Sequence, residues 1–300
     1  MPMKKIFLLV LIGLSIFLGG CSYFFRDSEE EHIQKVYIRV QDYTGEEYRQ
    51  PYGKKTDKIA EANQDVIEEA TIKYFKETYK TDVKVHNMVG VLEGVKVFVE
   101  SIGEPHFYTY AYVQIQDNKV LPHLIGAEKY KIQEAIQGGL YHMIFEEEFQ
   151  KLDGYLESLA EEGRVTGKTK EALQNAGGLG FMTPYYFINM LSAEAAIKPV
   201  YDLYLRKPDA SKKELRNAFA ENLFDLENLS INIQLFMSDK GAEPSEEIFN
   251  RVTRDLEEMS GIPKGSYSFT LNDNLIQRET SQGVKDNSLR RSYPDYIVRD

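Results

Sequence analysis

Between residues 57 and 125 the apolar residues change their spacing, and that change restricts the fold more than anything else in the chain. Ile59, Ala62, Val66, Ala70 and Tyr74 recur at intervals of three and four, which places them on one face of a helix of about 20 residues, and Asp57 can cap it. From Val83 the interval becomes two: Val83, Val85, Val89 and Val91 alternate with polar or small residues, and Val95, Val97 and Val99 continue after Glu93-Gly94. Two further strands, His106 to Ile115 and Lys119 to Ile125, meet at Asp117-Asn118. Strands that follow one another through turns this short pair antiparallel. The expected fold class is therefore α+β, an N-terminal helix packed on an antiparallel four-strand meander, and not a doubly wound sheet.

The second half reads as mostly helical with a few short strands. Residues 128–161 carry one long helical pattern with Gly138-Gly139 near its middle, a natural kink. Thr183-Pro184 begins a strongly apolar stretch that runs through Tyr185, Tyr186 and Leu191 to Tyr201, Tyr204 and Leu205. It reads as a helix buried on several sides, with proline in its first turn. Ser211-Lys212-Lys213-Glu214 is a capping box, Ser230 to Met237 alternates like a strand, residues 245–259 form a helix, and Tyr267 to Leu271 a last strand. The organisation expected is 36–126 as the sheet region, 127–272 as the mainly helical region and 273–300 as a loosely held polar tail.

The first residues give an address. Lys4 and Lys5 precede an apolar run from Ile6 to Leu18, 13 residues long, which suits a secretory signal and falls short of the roughly 20 needed to span a bilayer. The run ends in Leu18-Gly19-Gly20-Cys21, and Cys21 is the only cysteine. Leucine at −3 and glycine at −2 and −1 fit a lipobox, in which the Cys21 thiol receives a diacylglycerol and becomes the new N-terminus. The expectation is a signal peptide over 1–20, a lipidated cysteine and polar tether over 21–35, and attachment to the extracytoplasmic face of the cell membrane through the lipid on Cys21.

Charge and composition exclude several partners. The chain holds 36 basic and 47 acidic residues; without Lys4 and Lys5 the mature net charge is −13 (34 against 47). That sign argues against nucleic acid. With its single cysteine committed to lipid the mature domain has no disulfide, no thiol nucleophile and no cysteine-based zinc site. Hydrophobic content of 42%, with 16 Phe and 20 Tyr, supports a substantial core.

No motif specifies a reaction. Gly163-Arg164-Val165-Thr166-Gly167-Lys168-Thr169 has three residues between its glycines where a phosphate loop needs four, so it reads as a solvated basic turn. Of the five histidines, His86, His106 and His123 lie on or beside neighbouring strands, where two could meet Glu100 or Glu104, and His142 stands one helical turn from Glu146; such a set can bind zinc but lacks the spacing of a zinc motif. There is no Gly-x-Ser-x-Gly elbow and no Ser-x-x-Lys. No catalytic residue, no metal site and no cofactor is expected. A groove at Tyr185 and Tyr186, beside the flexible Gly177-Gly178-Leu179-Gly180 connection, is the candidate binding site.

Together, the lipobox, Gln41-Asp42-Tyr43-Thr44-Gly45-Glu46, Ile102-Gly103-Glu104-Pro105-His106-Phe107 and Phe181-Met182-Thr183-Pro184-Tyr185-Tyr186 resemble a family of lipoproteins of unknown function from low-GC Gram-positive bacteria, over nearly the whole chain. The resemblance implies lipidation at Cys21 and carries no catalytic residue with it. The function expected is a non-enzymatic, membrane-anchored protein that binds an envelope protein or a small ligand. The alternatives are a transporter's substrate-binding receptor, which would show two lobes, and an extracytoplasmic hydrolase, which would show His86, His106 or His123 converging with Glu100 or Glu104.

Overall fold

The computed structural model describes residues 33–128 and 130–300. The expected signal peptide, Cys21 and most of the expected tether lie outside the described residues. The chain divides into two compact units, residues 1–38 and 39–300. Of the first, residues 33–36 are helical and lead into a short strand β1 (Tyr37–Arg39). The rest of this section concerns the second.

Residues 54–79 form two helices where one was expected, α1 (Lys54–Glu61) and α2 (Gln64–Tyr79). Asp57 does not cap; its carboxylate accepts the Gly90 N–H at 2.5 Å and so ties α1 to the sheet. The sheet follows in the order β2 (Val83–Val91), β3 (Gly94–Ser101), β4 (Tyr108–Gln116) and β5 (Lys119–Gly126), each strand antiparallel to the next. Its turns fall at Glu93 and at Asp117-Asn118, all three with positive φ, the backbone that tight hairpins require. One irregularity has consequences. A bulge between Val85 and Asn87 leaves His86 without a ladder partner, so the side-chain alternation changes phase. Val83 and Val85 face the main core, and beyond the bulge Met88 takes that side while Val89 turns to the other.

The helical pattern over 128–161 is two helices, α3 (Lys131–Ile144) and α4 (Glu146–Glu161), broken at Phe145 and not at the glycines. Gly138 and Gly139 both stay within the helix, and Gly139 is needed for close packing: a Cβ there would stand 2.5 Å from the His106 carbonyl oxygen. After β6 (Val165–Thr166) and α5 (Lys170–Ala176), the segment beginning at Thr183-Pro184 departs from expectation. Tyr186–Met190 is a strand, β7, antiparallel to β8 (Leu229–Met237), and only Lys198–Arg206 is helical, as α6. Thr183 bends the chain into the strand, its hydroxyl accepting the Tyr185 and Tyr186 N–H groups at 3.2 Å each. A mostly apolar run, in which Asn189 alone is polar and exposed between Tyr186 and Met190, looks alike as helix and strand.

Helices α7 (Lys212–Ala218, with the capping box) and α8 (Glu246–Glu258) follow. The sheet of the second half is larger than a few short strands. β8 pairs in parallel with β9 (Gly265–Asn272), and β6 and β7 add antiparallel to β8. Residues 273–300, expected as a loose tail, carry β10 (Leu275–Gln277), β11 (Leu289–Arg291) and β12 (Ile297–Arg299); β11 and β12 both pair antiparallel with β9. Ile276, Ile297, Asn272 and Asn274 are buried. Polar residues mislead here because they serve as internal donors: Asn274 Nδ2 reaches the Met237 carbonyl at 2.7 Å.

One core runs through all of this, from Ala60 and Ile67 of the helices, through Val97 and Val113 of the first sheet and Leu140 and Phe149 of α3 and α4, to Ile233, Phe269 and Ile297 of the second. Tyr141 stands near its centre, stacked on Phe224 at 6.0 Å and packed on Phe145 at 4.7 Å, with its hydroxyl donating to the Lys264 carbonyl at 3.0 Å.

Candidate functional site

The face of the meander turned away from that core carries the most chemistry. Adjacent strands place Lys96 opposite Tyr112, Phe98 opposite Tyr110 and Glu100 opposite Tyr108. The face therefore grades from a carboxylate at one end, through aromatic rings, to a cation at the other. The loop after β1 covers part of it with Tyr48, and Leu179 adds to the small apolar cluster of Val89, Phe98 and Tyr110. Helix α5 lies over the polar end. Thr169 sets its position: the hydroxyl accepts the Ala172 N–H at 3.0 Å as N-cap and donates to the Tyr43 carbonyl at 2.6 Å. Asn87 donates to the Asn175 carbonyl at 2.8 Å from the sheet below.

Glu100 is the hub. Its Oε2 accepts from His86 Nε2 at 2.7 Å and from Gln174 Nε2 at 3.0 Å; its Oε1 accepts the Tyr108 hydroxyl at 3.2 Å and lies 3.8 Å from His106 Nε2. Burial alone would raise the Glu100 pKa, but the hydrogen bonds from His86 and Gln174 and the nearby His106 hold it below the usual range. Burial lowers the pKa of His86 and of His106, against the pull of Glu100 on both. An ionised carboxylate only accepts, so a neutral His86 must carry its proton on Nε2 and leave Nδ1 as the acceptor. The bulge at His86 makes this meeting possible, because the extra residue lets both His86 and Asn87 serve the outer face.

Behind His106 the aromatic contacts continue inward. Its ring meets Tyr108 edge-on at 5.1 Å and Phe181 at 5.9 Å, and Phe181 stacks on His142 at 3.5 Å with the planes 10° apart. Phe181 reaches this position because Gly180 and Tyr108 exchange two backbone hydrogen bonds of 2.9 Å. Burial pushes His142 down to about 4. It makes no hydrogen bond with Glu146, whose carboxylate is taken by Lys212 at 2.6 Å.

Other residues singled out from the sequence sit elsewhere. His123 lines a groove of about 550 Å3 between α2 and β5, with Val66, Tyr74 and Pro122, apart from the Glu100 hub. Tyr186 is core, not groove: it is 2% exposed and stacked on Phe149 at 6.0 Å. Tyr201 and Tyr204 are buried too, the latter's hydroxyl 2.8 Å from that of Thr81, while Tyr185 is half-buried. Lys168 is not the solvated turn residue expected; its amine donates to the Ser281 carbonyl at 3.2 Å, and burial holds it down to about 8. Among the described residues no group of three or more His, Asp or Glu side chains is arranged to hold a metal ion. Tyr108 and Gln174 also belong to the site, and no sequence motif marks either. The cross-strand register would have found Tyr108, but nothing local marks Gln174.

Replacing Glu100 with alanine should strand the His86, Gln174 and Tyr108 donors and cost about 2–3 kcal/mol of stability. The carboxylate holds up the pKa of both histidines, so NMR titration of the variant should show both falling. Unchanged titration midpoints would remove Glu100 from the centre of the site.

A family model described as a protein of unknown function, DUF1672, matches residues 30–299. Among solved structures, the chain is similar to the crystal structure of a DUF1672 family protein from Staphylococcus aureus, with a TM-score of 0.71 at 17% identity over 88% of this chain and 98% of that one. At that identity the likeness speaks for the fold alone. No curated protein matches.

Proposed function

The chain belongs to the DUF1672 family, and we propose that it is a lipid-anchored, extracytoplasmic binding protein that recognises its partner with the outer face of the meander. Two separate observations support the two halves of this reading. The anchor rests on the sequence: Lys4 and Lys5, the short apolar run and Leu18-Gly19-Gly20-Cys21. The binding role rests on the Glu100 hub. Both carboxylate oxygens are held by protein donors, and among the described residues no serine, threonine or cysteine side chain hydrogen-bonds to His86 or His106. A carboxylate held by three donors fixes the geometry of its neighbours and presents them. It suits holding a ligand better than turning one over.

A hydrolase reading draws on the same place. His86 and His106 do converge on Glu100, and His86 keeps Nδ1 as a free acceptor, the arrangement by which a carboxylate orients a general base. It lacks a nucleophile in reach, so binding is preferred. A transporter receptor finds less support, since the two larger sheets of the described residues are an antiparallel meander and a mixed sheet with a single parallel pairing, β8 with β9.

Expressing the chain with Cys21→Ala should abolish lipid labelling and block processing ahead of residue 21; labelling that persists would remove the anchor. Affinity capture of the anchored protein from its own membranes, run beside His106→Ala and Tyr48→Ala, tests the face. A partner lost by either variant supports it. A partner retained by both overturns it.

A further inference from the structure

We propose that Tyr48, Phe98 and Tyr110 form an ammonium-binding cage which Lys96 fills when no ligand is present, and that the ligand class it takes is a quaternary or alkyl-substituted ammonium group. This deepens the reading of the outer face as the recognition surface and rests on it. Lys96 Nζ stands 3.7 Å from the centroid of Tyr110, 4.8 Å from Phe98 and 5.8 Å from Tyr48. Those rings are set at steep angles to one another, Tyr48 to Phe98 at 90° and 5.5 Å, Phe98 to Tyr110 at 65° and 6.2 Å. Several π-faces directed at one point make a concave box for a cation. No carboxylate among the described residues lies within 4 Å of the amine; Glu128 acts on it only through space. The rings, not an ion pair, hold this charge.

The cage suits a different cation better than the one it contains. A primary ammonium is strongly hydrated, and burial here holds Lys96 down to about 8, so the rings recover only part of the lost hydration. A quaternary ammonium is weakly hydrated and has no proton to lose. Two features allow exchange. Lys96 is only partly buried and its four-carbon arm can swing its head into water. Tyr48, one wall of the cage, belongs to a loop, where the Gln50 side chain donates to its hydroxyl, and loops move more readily than sheet residues.

Titration of tetramethylammonium chloride into the full chain at constant ionic strength, against sodium chloride and followed by NMR shifts of the cage tyrosines, tests this. Saturable binding is expected in the wild type, at least tenfold tighter in Lys96→Ala and at least tenfold weaker in Tyr48→Ala, with Tyr48→Leu as the variant that keeps bulk and removes the ring. Wild-type affinity should rise from pH 7 to pH 9 as Lys96 loses its proton, and affinity of Lys96→Ala should stay flat. The facing tyrosines Tyr48, Tyr110 and Tyr112 all have raised pKa values, so none of the three titrates in that window, and Glu128 is the carboxylate that acts on the cage through space. No saturable response in the wild type, whatever Lys96→Ala does, would make the cage a structural cation site and overturn the proposal. So would binding that both Tyr48 variants leave unchanged. A partner captured in a His106-dependent way, with no ammonium binding, sinks the cage and leaves the recognition face standing.

Discussion

Replacing Tyr141 with alanine should lower the stability of the unit formed by residues 39–300 by about 3–5 kcal/mol, the range for removing a large buried ring. Tyr141 is 1% exposed and belongs to α3, yet its contacts lie on other elements: Phe219 and Phe224 after α7, Phe149 in α4, and the carbonyl of Lys264 just ahead of β9. An empty site at this crossing has several walls, and they cannot all collapse inward together. Tyr141→Phe keeps the stacking and loses one hydrogen bond, at about 1 kcal/mol. Denaturant unfolding of the two variants separates packing from the hydroxyl. A Tyr141→Ala loss below 1 kcal/mol would show that this ring is not the joint described.

The second large effect is acid lability. His142 titrates near 4 in the folded protein because burial disfavours its charged form, and near 6.5 when unfolded. A base whose folded pKa is depressed takes up its proton more readily unfolded. Its contribution to stability is therefore complete above pH 6.5 and is lost as the pH falls from 6.5 towards 4. The loss is about 3 kcal/mol in full and about 2 kcal/mol by pH 5. His86 and His106 are shifted in the same direction and add to it. His142→Phe keeps a ring against Phe181 and has nothing to protonate, so between pH 7.5 and pH 5 it should lose about 2 kcal/mol less than the wild type. Identical pH dependence in the two proteins would show that the His142 pKa is not depressed.

How much of this could be read from the residues depends on where each element lies. The meander was legible because one of its faces is packed and its turns are tight: the valines of β3 alternate without interruption, and Glu93 and Asp117-Asn118 sit where the backbone adopts positive φ. Strand β7 was not legible because Tyr186, Ile188 and Met190 are buried and Phe187 is half-covered, which leaves Asn189 as the single exposed polar residue, too little to betray the period. The strands after residue 273 failed for the opposite reason. Each is three residues long and polar in part, and the pairing of β11 and β12 with β9 is a tertiary fact that no local pattern records. At the site, the meeting of two strand histidines with Glu100 could be foreseen as one option among several. The choice of His86 and His106 over His123 could not, since it turns on a bulge that moves one residue out of register. The cage has no sequence signature because its residues are spread over Tyr48, β3 and β4.

The two ends of the 39–300 unit are fastened to each other. Arg39 donates to the Asn274 side chain, the Tyr43 hydroxyl to the Arg278 carbonyl, and Arg278 pairs with Glu47, each across more than 230 residues of sequence. Contacts this distant along the chain close last and slow the search for the native state. A ribosome or a translocation pore that releases the polypeptide from its N-terminus holds back Asn274 and Arg278 until nearly the whole chain has emerged. Until then residues 39–47 have nothing to close against. Wired in this way, the unit can lock only once two segments more than 230 residues apart are both free to meet.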